Sequence, residues 1–260
     1  MTRSTVYQYP EYYALGYRWN TEVECAFIEA CLKKHGPPHA VRLLDLGCGS
    51  GRHMVELANR GYQLTGVDTA PEMVAHVQDV AQREGLSIEA SVDDLRRLTI
   101  PGTFDAVFCF MDTFRFLLTN EEIKAHFQSV AKRLVPGGLY LLDFWVPHQY
   151  DQIGNEIHQW EQTEGDTTVR VFYLQHPETV DPITQTFEDE LVFEITEGEE
   201  TREIRGGRTR TRLILPREFA ALVDNSGVFE LVGTHGEFDL ESEFTQESLS
   251  WRMISVLKRR

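Results

Sequence analysis

The 260-residue chain has only four cysteines, Cys25, Cys31, Cys48 and Cys109. None forms a C-x-x-C pair, and no His/Cys cluster has metal-site spacing, so a disulfide framework and a zinc module are both excluded. Reduced thiols in a cytoplasmic protein are the expectation. Long apolar runs are also missing. No stretch of 18 apolar residues occurs, and the amino-terminal MTRSTVYQYPEYY lacks the apolar segment of a secretory signal. A membrane is therefore not an expected partner. Basic residues are scarce: 25 Lys and Arg stand against 41 Asp and Glu, a formal net charge of −16. Such a field repels phosphate backbones, which excludes nucleic acid from the expected partners. It fits plain solubility, or a mouth that attracts cationic and amine substrates. Repeats and low-complexity tracts are absent, and the length suits one core carrying an insertion.

What is present is alternation of strand and helix patterns. Thr21–Lys34 reads as a helix, broken by Gly36-Pro37-Pro38. Strands are expected at Val41–Leu46, Tyr62–Val67, Leu86–Val92, Phe104–Met111 and Leu139–Val146. Helices are expected at His53–Arg60, Pro71–Arg83, with Thr69 and Glu72 as a capping box, and Glu121–Leu134, ended by Pro136-Gly137-Gly138. The period then shortens towards two, with antiparallel strands expected at Thr168–Leu174, Thr186–Thr196 and Thr201–Ile214. The α/β pattern resumes with a helix at Pro216–Asn225 and strands at Val228–Thr234 and Leu249–Lys258. The organisation implied is α/β. A Rossmann-like, doubly wound sheet of seven strands, the last antiparallel, spans residues 1–150 and 214–260. A small antiparallel β insertion spans 151–213, either as cover for a sheet edge or as a lid or substrate wall.

The most informative segment is Leu43-Leu44-Asp45-Leu46-Gly47-Cys48-Gly49-Ser50-Gly51-Arg52-His53. A strand, a glycine loop and a helix start bring backbone N–H groups close to a bound ligand. The next strand ends in Asp68, 19 residues past Gly49, where a βαβ unit presents a carboxylate to a ribose diol. The spacing is G-x-G-x-G, not the G-x-G-x-x-G of dinucleotide sites. Asp45 beside the loop would repel a pyrophosphate and suits a ligand with a cationic amino group. A ligand with an amino-acid end and a ribose end is S-adenosyl-L-methionine. Here the chain resembles the class I S-adenosylmethionine-dependent methyltransferases, over roughly residues 40–146 and more weakly at the carboxyl-terminal end.

In open α/β sheets the ligand lies outside the carboxyl ends of the strands. Cofactor residues expected there are Asp45, Gly47, Cys48, Gly49, Gly51, His53, Asp68, Thr69 and Met73, the last against adenine. The resemblance implies an acid after the third strand on the adenine amino group. Asp94-Leu95-Arg96-Arg97-Leu98 fits its pattern best, with Asp93 one residue away and the Leu95 backbone near the ring. After the fourth strand, Phe110 and Asp112 face the sulfonium methyl in the family. The Asn/Asp-Pro-Pro-Tyr/Phe of many DNA and protein amino-methylating members is absent, which puts that substrate class in doubt. Asp112 either accepts from an amine or caps the following turn, and Arg115 could pair an acidic substrate group. His148 after the fifth strand is the general-base candidate. Tyr150, Trp160, His235 and Glu237 are further candidates for the pocket wall. Tyr12, Tyr13 and Trp19 belong to a tyrosine-rich segment that resembles those folding over the cofactor, with core packing as the other reading.

The implied activity is methyl transfer to a small-molecule acceptor, with N-, O- and C-methylation all open, by a monomer or homodimer without a metal. Two alternatives remain: a non-catalytic S-adenosylmethionine-binding protein and a nicotinamide-dependent oxidoreductase. The latter requires the glycine spacing that this chain lacks.

Overall fold

The computed structural model describes residues 5–147, 158–245, 247 and 250–260. After a 3-10 turn at Thr5–Gln8 come helices α1 (Pro10–Gly16) and α2 (Thr21–His35). Acids Glu22 and Glu24 occupy the first turn of α2 and Lys33, Lys34 and His35 the last, matching the helix dipole at both ends. The chain then alternates β1 (Arg42–Leu46), α3 (Arg52–Asn59), β2 (Gln63–Asp68), α4 (Pro71–Glu84), β3 (Ile88–Val92) and β4 (Phe104–Cys109). A second 3-10 turn, Thr113–Phe116, leads to α5 (Asn120–Arg133) and β5 (Leu134–Trp145). Four strands follow: β6 (His158–Glu164), β7 (Thr167–Asp181), β8 (Thr186–Glu197) and β9 (Glu200–Arg212). Helix α6 (Pro216–Ser226) and strands β10 (Phe229–His235) and β11 (Arg252–Arg259) end the chain.

The main sheet has the order β10-β11-β5-β4-β1-β2-β3. β5, β4, β1, β2 and β3 run parallel, and β11 is antiparallel to both β5 and β10. Apolar layers cover both faces. Leu44, Val107, Phe127 and Phe219 sit in one, and Phe27, Ile28, Leu43 and Phe108 in the other. The remaining strands form a separate antiparallel sheet, β6-β7-β8-β9. Its Val169, Val171, Phe193 and Ile195 pack against Val6, Leu15 and Tyr17 in a third, smaller core. The chain therefore has the expected doubly wound sheet with an antiparallel last strand and a β insertion. Among the described residues, no helix is long and apolar enough to cross a membrane.

Several local expectations fail for identifiable reasons. Thr69 and Glu72 do not form a capping box; the N-cap of α4 is Ala70, and its N–H is satisfied by the Asp68 carboxylate at 2.8 Å. The capping box forms instead at Thr119 and Glu122, on α5. Pro136-Gly137-Gly138 does not separate helix from strand. The strand starts at Leu134, and the irregularity becomes a register shift against β4.

Candidate active site

The glycine loop hangs from the end of β2. Gly47 and Cys48 both donate to the Val67 carbonyl, at 2.8 and 3.0 Å. Gly47 has φ +73°, and a Cβ there would lie 2.6 Å from Thr113 Cγ2, so the loop is pressed against the turn that follows β4. Gly49 donates to Asp68 Oδ2 at 2.9 Å, while Ala70 donates to Oδ1 at 2.8 Å. Loop and acid are thus one assembly, which the 19-residue spacing anticipates. Asp45 is 3% exposed, and its Oδ2 has no hydrogen-bond partner. Burial pushes its carboxyl well above the usual carboxylate range, with the Arg52 charge opposing. A ligand ammonium would supply both the missing donor and the missing charge, so this cradle fits an amino-acid end.

Over the loop lies the tyrosine-rich segment. Tyr13 stacks on Tyr17 with ring centroids 4.4 Å apart, and its Cε1 is 3.2 Å from where a Gly49 Cβ would stand. Burial raises the Tyr7 hydroxyl to about 12, and the Asp68 charge adds to that; Asp68 acts on Tyr13 in the same direction. The same segment is tied to the second sheet. Tyr12 donates to Glu197 at 3.0 Å, and Trp160 Nε1 donates to the Gly16 carbonyl at 2.7 Å. Trp19 meets Trp160 edge-on at 5.9 Å. Trp160 is therefore a fastener between α1 and β6 and not an open pocket wall. A groove of about 710 Å³ lined by Arg18, Thr21, Arg52, Val55 and His76 runs along the outside of this segment.

After β3, Asp93 uses both carboxylate oxygens on its own loop. Oδ1 accepts from Asp94 N at 2.9 Å, and Oδ2 accepts from Thr99 N and Ile100 N at 2.7 and 3.1 Å. Asp94 keeps a side chain that is 48% exposed, paired with Arg96 at 3.2 Å. The Leu95 carbonyl is taken by His126 Nδ1 at 2.6 Å. Met73 is fully buried on α4.

At the end of β4, Met111 and Asp112 both adopt left-handed backbone, φ 57° and 66°, a strained pair for non-glycine residues. Asp112 N donates to Asp143 Oδ1 at 3.2 Å, and Asp112 Oδ1 accepts from Trp145 N at 2.7 Å. Asp112 does not cap the following turn with its side chain. Arg115 contradicts the expectation of a free substrate-binding guanidinium. It is fully buried and donates to Asp112, Asp189, Thr211 and the Arg212 carbonyl, because it joins the main sheet to the insertion.

Four further expectations need correction. His53 points away from the loop into the core. Its Nε2 donates to the buried Glu24 at 2.6 Å, and burial, with Arg52, pushes its imidazole down to about 4. Phe110 turns the same way, edge-on to His53 and Phe238 at 5.6 and 5.1 Å. His235, on the edge strand β10 and in register through Ile254 with Asp143, is only 5% exposed and packs edge-on against Phe27, and Glu237 is exposed beyond it. His148 and Tyr150 lie outside the described residues.

Residues that the motif left unmarked complete the surroundings. Glu24 and Arg52 pair at 2.5 Å, and Arg252 pairs with Asp143 at 3.2 Å. Burial pushes Asp143 up to about 6, with Arg252 opposing and Asp112 adding to the rise. Gly66 on β2 admits Met54 and Cys48 so closely that a Cβ would lie 2.4 Å from Met54 Sδ. A glycine inside a strand is the visible signal for such an approach.

A family model described as "Methyltransferase domain" matches residues 43–138. YqeM of Bacillus subtilis (strain 168), a methyltransferase by its assigned name, is 30% identical over 190 residues, 67% of this chain and 74% of that protein. The cypemycin N-terminal methyltransferase of a Streptomyces species is 32% identical over 133 residues, 50% of this chain and 53% of that protein. Apart from YqeM, the chain spans about half the length of the curated relatives it matches. The crystal structure of Streptomyces venezuelae DesVI superposes with a TM-score of 0.72 at 20% identity, covering 94% of each chain, a likeness of fold. Sequence relatives, sheet order and the Asp45–glycine loop–Asp68 assembly agree, and the chain belongs to the class I S-adenosylmethionine-dependent methyltransferases.

Proposed function

We propose that the protein transfers a methyl group from S-adenosyl-L-methionine to a small-molecule acceptor. The observation that carries this reading is the joint cradle: a buried Asp45 whose Oδ2 has no hydrogen-bond partner on one side of the loop, and Asp68 bonded to Gly49 on the other. When bound, the cofactor supplies a methyl group already activated on a sulfonium. The chain's own work is placement. Asp45 receives the amino group, Asp68 exchanges its backbone donors for ribose hydroxyls, and Asp94 takes the adenine amino group in place of its Arg96 side-chain contact, since the three backbone bonds on Asp93 hold its own loop. Tyr13 covers Gly49 and excludes water, and the strained Met111–Asp112 corner fixes the wall behind the acceptor. Positioning of this kind contributes ~7–11 kcal/mol. The tyrosine segment and β6–β9 enclose one side of the corner, so the insertion is read as a substrate wall. His148 is the proposed base for an acceptor that must lose a proton.

The names of several relatives, such as glycine/sarcosine N-methyltransferase of Aphanothece halophytica, favour a nitrogen acceptor. The formal charge of −16 argues against nucleic acid as substrate. A cytoplasmic monomer or homodimer is the proposed working form. Calorimetric titration with S-adenosylmethionine, S-adenosylhomocysteine and NAD tests the reading. Micromolar binding of the first two alone is expected, abolished by Gly49→Arg. Binding of NAD alone, or of none, would sink it. His148→Ala should keep cofactor affinity and lose turnover; unchanged turnover removes His148 from the mechanism.

A further inference from the structure

The charges around Arg115 call for a cation that the chain does not supply. This one guanidinium, fully buried, faces two carboxylates: Asp112 at 2.5 Å and Asp189 at 3.3 Å. Asp112 N also donates to Asp143, whose charge is balanced by Arg252 at 3.2 Å, and the remaining neighbours of Arg115 are neutral. The hydroxyls of Tyr173 and Thr211 donate to Asp189 at 2.7 and 2.6 Å, and the rings of Trp145 and Phe187 lie 5.4 and 5.0 Å from the guanidinium carbon. With both carboxyls ionised, one cation and two carboxylates leave a net charge of −1 in the layer between β8 and the end of β4, and burial raises the Asp189 carboxyl, with Arg115 opposing. An uncompensated charge there is costly.

The individual oxygens give a second, independent observation. Asp189 is 4% exposed, and its Oδ2 accepts from Arg115, Tyr173 and Thr211, whereas its Oδ1 accepts from nothing. Buried carboxylate oxygens are ordinarily satisfied. An open oxygen beside an excess negative charge is complementary to an ammonium ion. The place is also right. Asp112 is the residue of the strained corner, and the adjoining Met111 packs among Tyr13, Leu191 and Phe193, under the segment that covers the glycine loop.

We propose that Asp189 binds the ammonium group of the methyl acceptor through Oδ1, and that this group gives up a proton to the base proposed above before its nitrogen lone pair takes the methyl and the sulfur leaves as a thioether, so that the acceptor class is a small primary or secondary amine. This rests on the methyltransferase reading above. Tyr173 and Thr211 are positioning residues, holding Oδ2 so that Oδ1 stays open. An alcohol of the same shape would leave the charge uncompensated, so the site discriminates against it.

The test uses the full chain loaded with S-adenosylhomocysteine, with ethylammonium, ethanol and acetate as probes at matched ionic strength. Saturation-transfer NMR titration reads their binding. Ethylammonium is expected to bind at least tenfold more tightly than ethanol, and acetate not at all. Asp189→Asn should lose that preference with S-adenosylhomocysteine affinity unchanged and an unfolding midpoint no lower than the wild type, which a merely structural aspartate would not allow. Equal binding of ethylammonium and ethanol to the wild type overturns the proposal, even if the variant does not fold. Retained preference in Asp189→Asn overturns it too. Failure of the wild type to bind S-adenosylhomocysteine overturns the methyltransferase reading, and the amine assignment with it.

Discussion

Histidines buried as neutral groups carry an acid-sensitive part of this protein's stability. His126 is fully buried, donates from Nδ1 to the Leu95 carbonyl at 2.6 Å and accepts at Nε2 from Tyr140 at 2.7 Å. Burial pushes its imidazole down to about 4, as it does for His53. A group whose folded pKa is depressed gives stability that is complete above its unfolded value, near 6.5, and lost as pH falls through the folded one. Each histidine should therefore cost on the order of 3 kcal/mol between pH 6.5 and 4. Asp143 works against them. Its raised folded value, about 6, contributes stability that is full below about 4 and lost as pH rises through 6. Asp45 and Asp189, also raised by burial, act in the same direction as Asp143, so the histidine loss is read as a difference: denaturant midpoints of His126→Gln should fall less steeply than those of the wild type between pH 6.5 and 4. Equal slopes would contradict the buried neutral state. Gly66 makes a second residue-scale prediction. Gly66→Ala drives a methyl into Met54 and Cys48 and should cost about 1–3 kcal/mol by urea unfolding, with no effect expected from Gly165→Ala on spatial grounds beyond its own positive φ.

The link between the two sheets is where removing one side chain does the most harm. Arg115→Met would leave Asp112 and Asp189 buried without their shared partner, a loss of roughly 3–5 kcal/mol. Thermal unfolding should show it, with the insertion sheet losing protection in hydrogen exchange before β1 and β4. Uniform loss would mean that the two sheets unfold as one unit. The same link shows what could and could not be read from the chain. The doubly wound order and the cofactor loop were legible because parallel strands are continuously apolar and the glycines leave a local signature. Asp189 was not, because Glu188-Asp189-Glu190 reads as a solvated acidic run. Period-two alternation places Phe187, Asp189 and Leu191 on one face, and that face turns inward. Strand β6 was missed for a similar reason: HQWEQTE has one large apolar residue, as an edge strand allows. His53 and Phe110 were misplaced because nearness to a motif in sequence does not say which face of the sheet a side chain takes.

At the scale of the whole molecule, one short segment joins two functions. Helix α1 holds Tyr13 over Gly49 and, within the same seven residues, the Gly16 carbonyl that receives Trp160 from β6. Displacing α1 from the loop would also break the Trp160 bond, so the two contacts are expected to form and break together. The two ligands should consequently act on each other without touching through α1. Linkage then sets a symmetric rule: the factor by which S-adenosylhomocysteine tightens ethylammonium must equal the factor by which ethylammonium tightens S-adenosylhomocysteine. Tyr13→Ala should bring that factor towards one. A coupling factor well above one would mean that the cofactor is sealed from water chiefly when an acceptor is bound beside it.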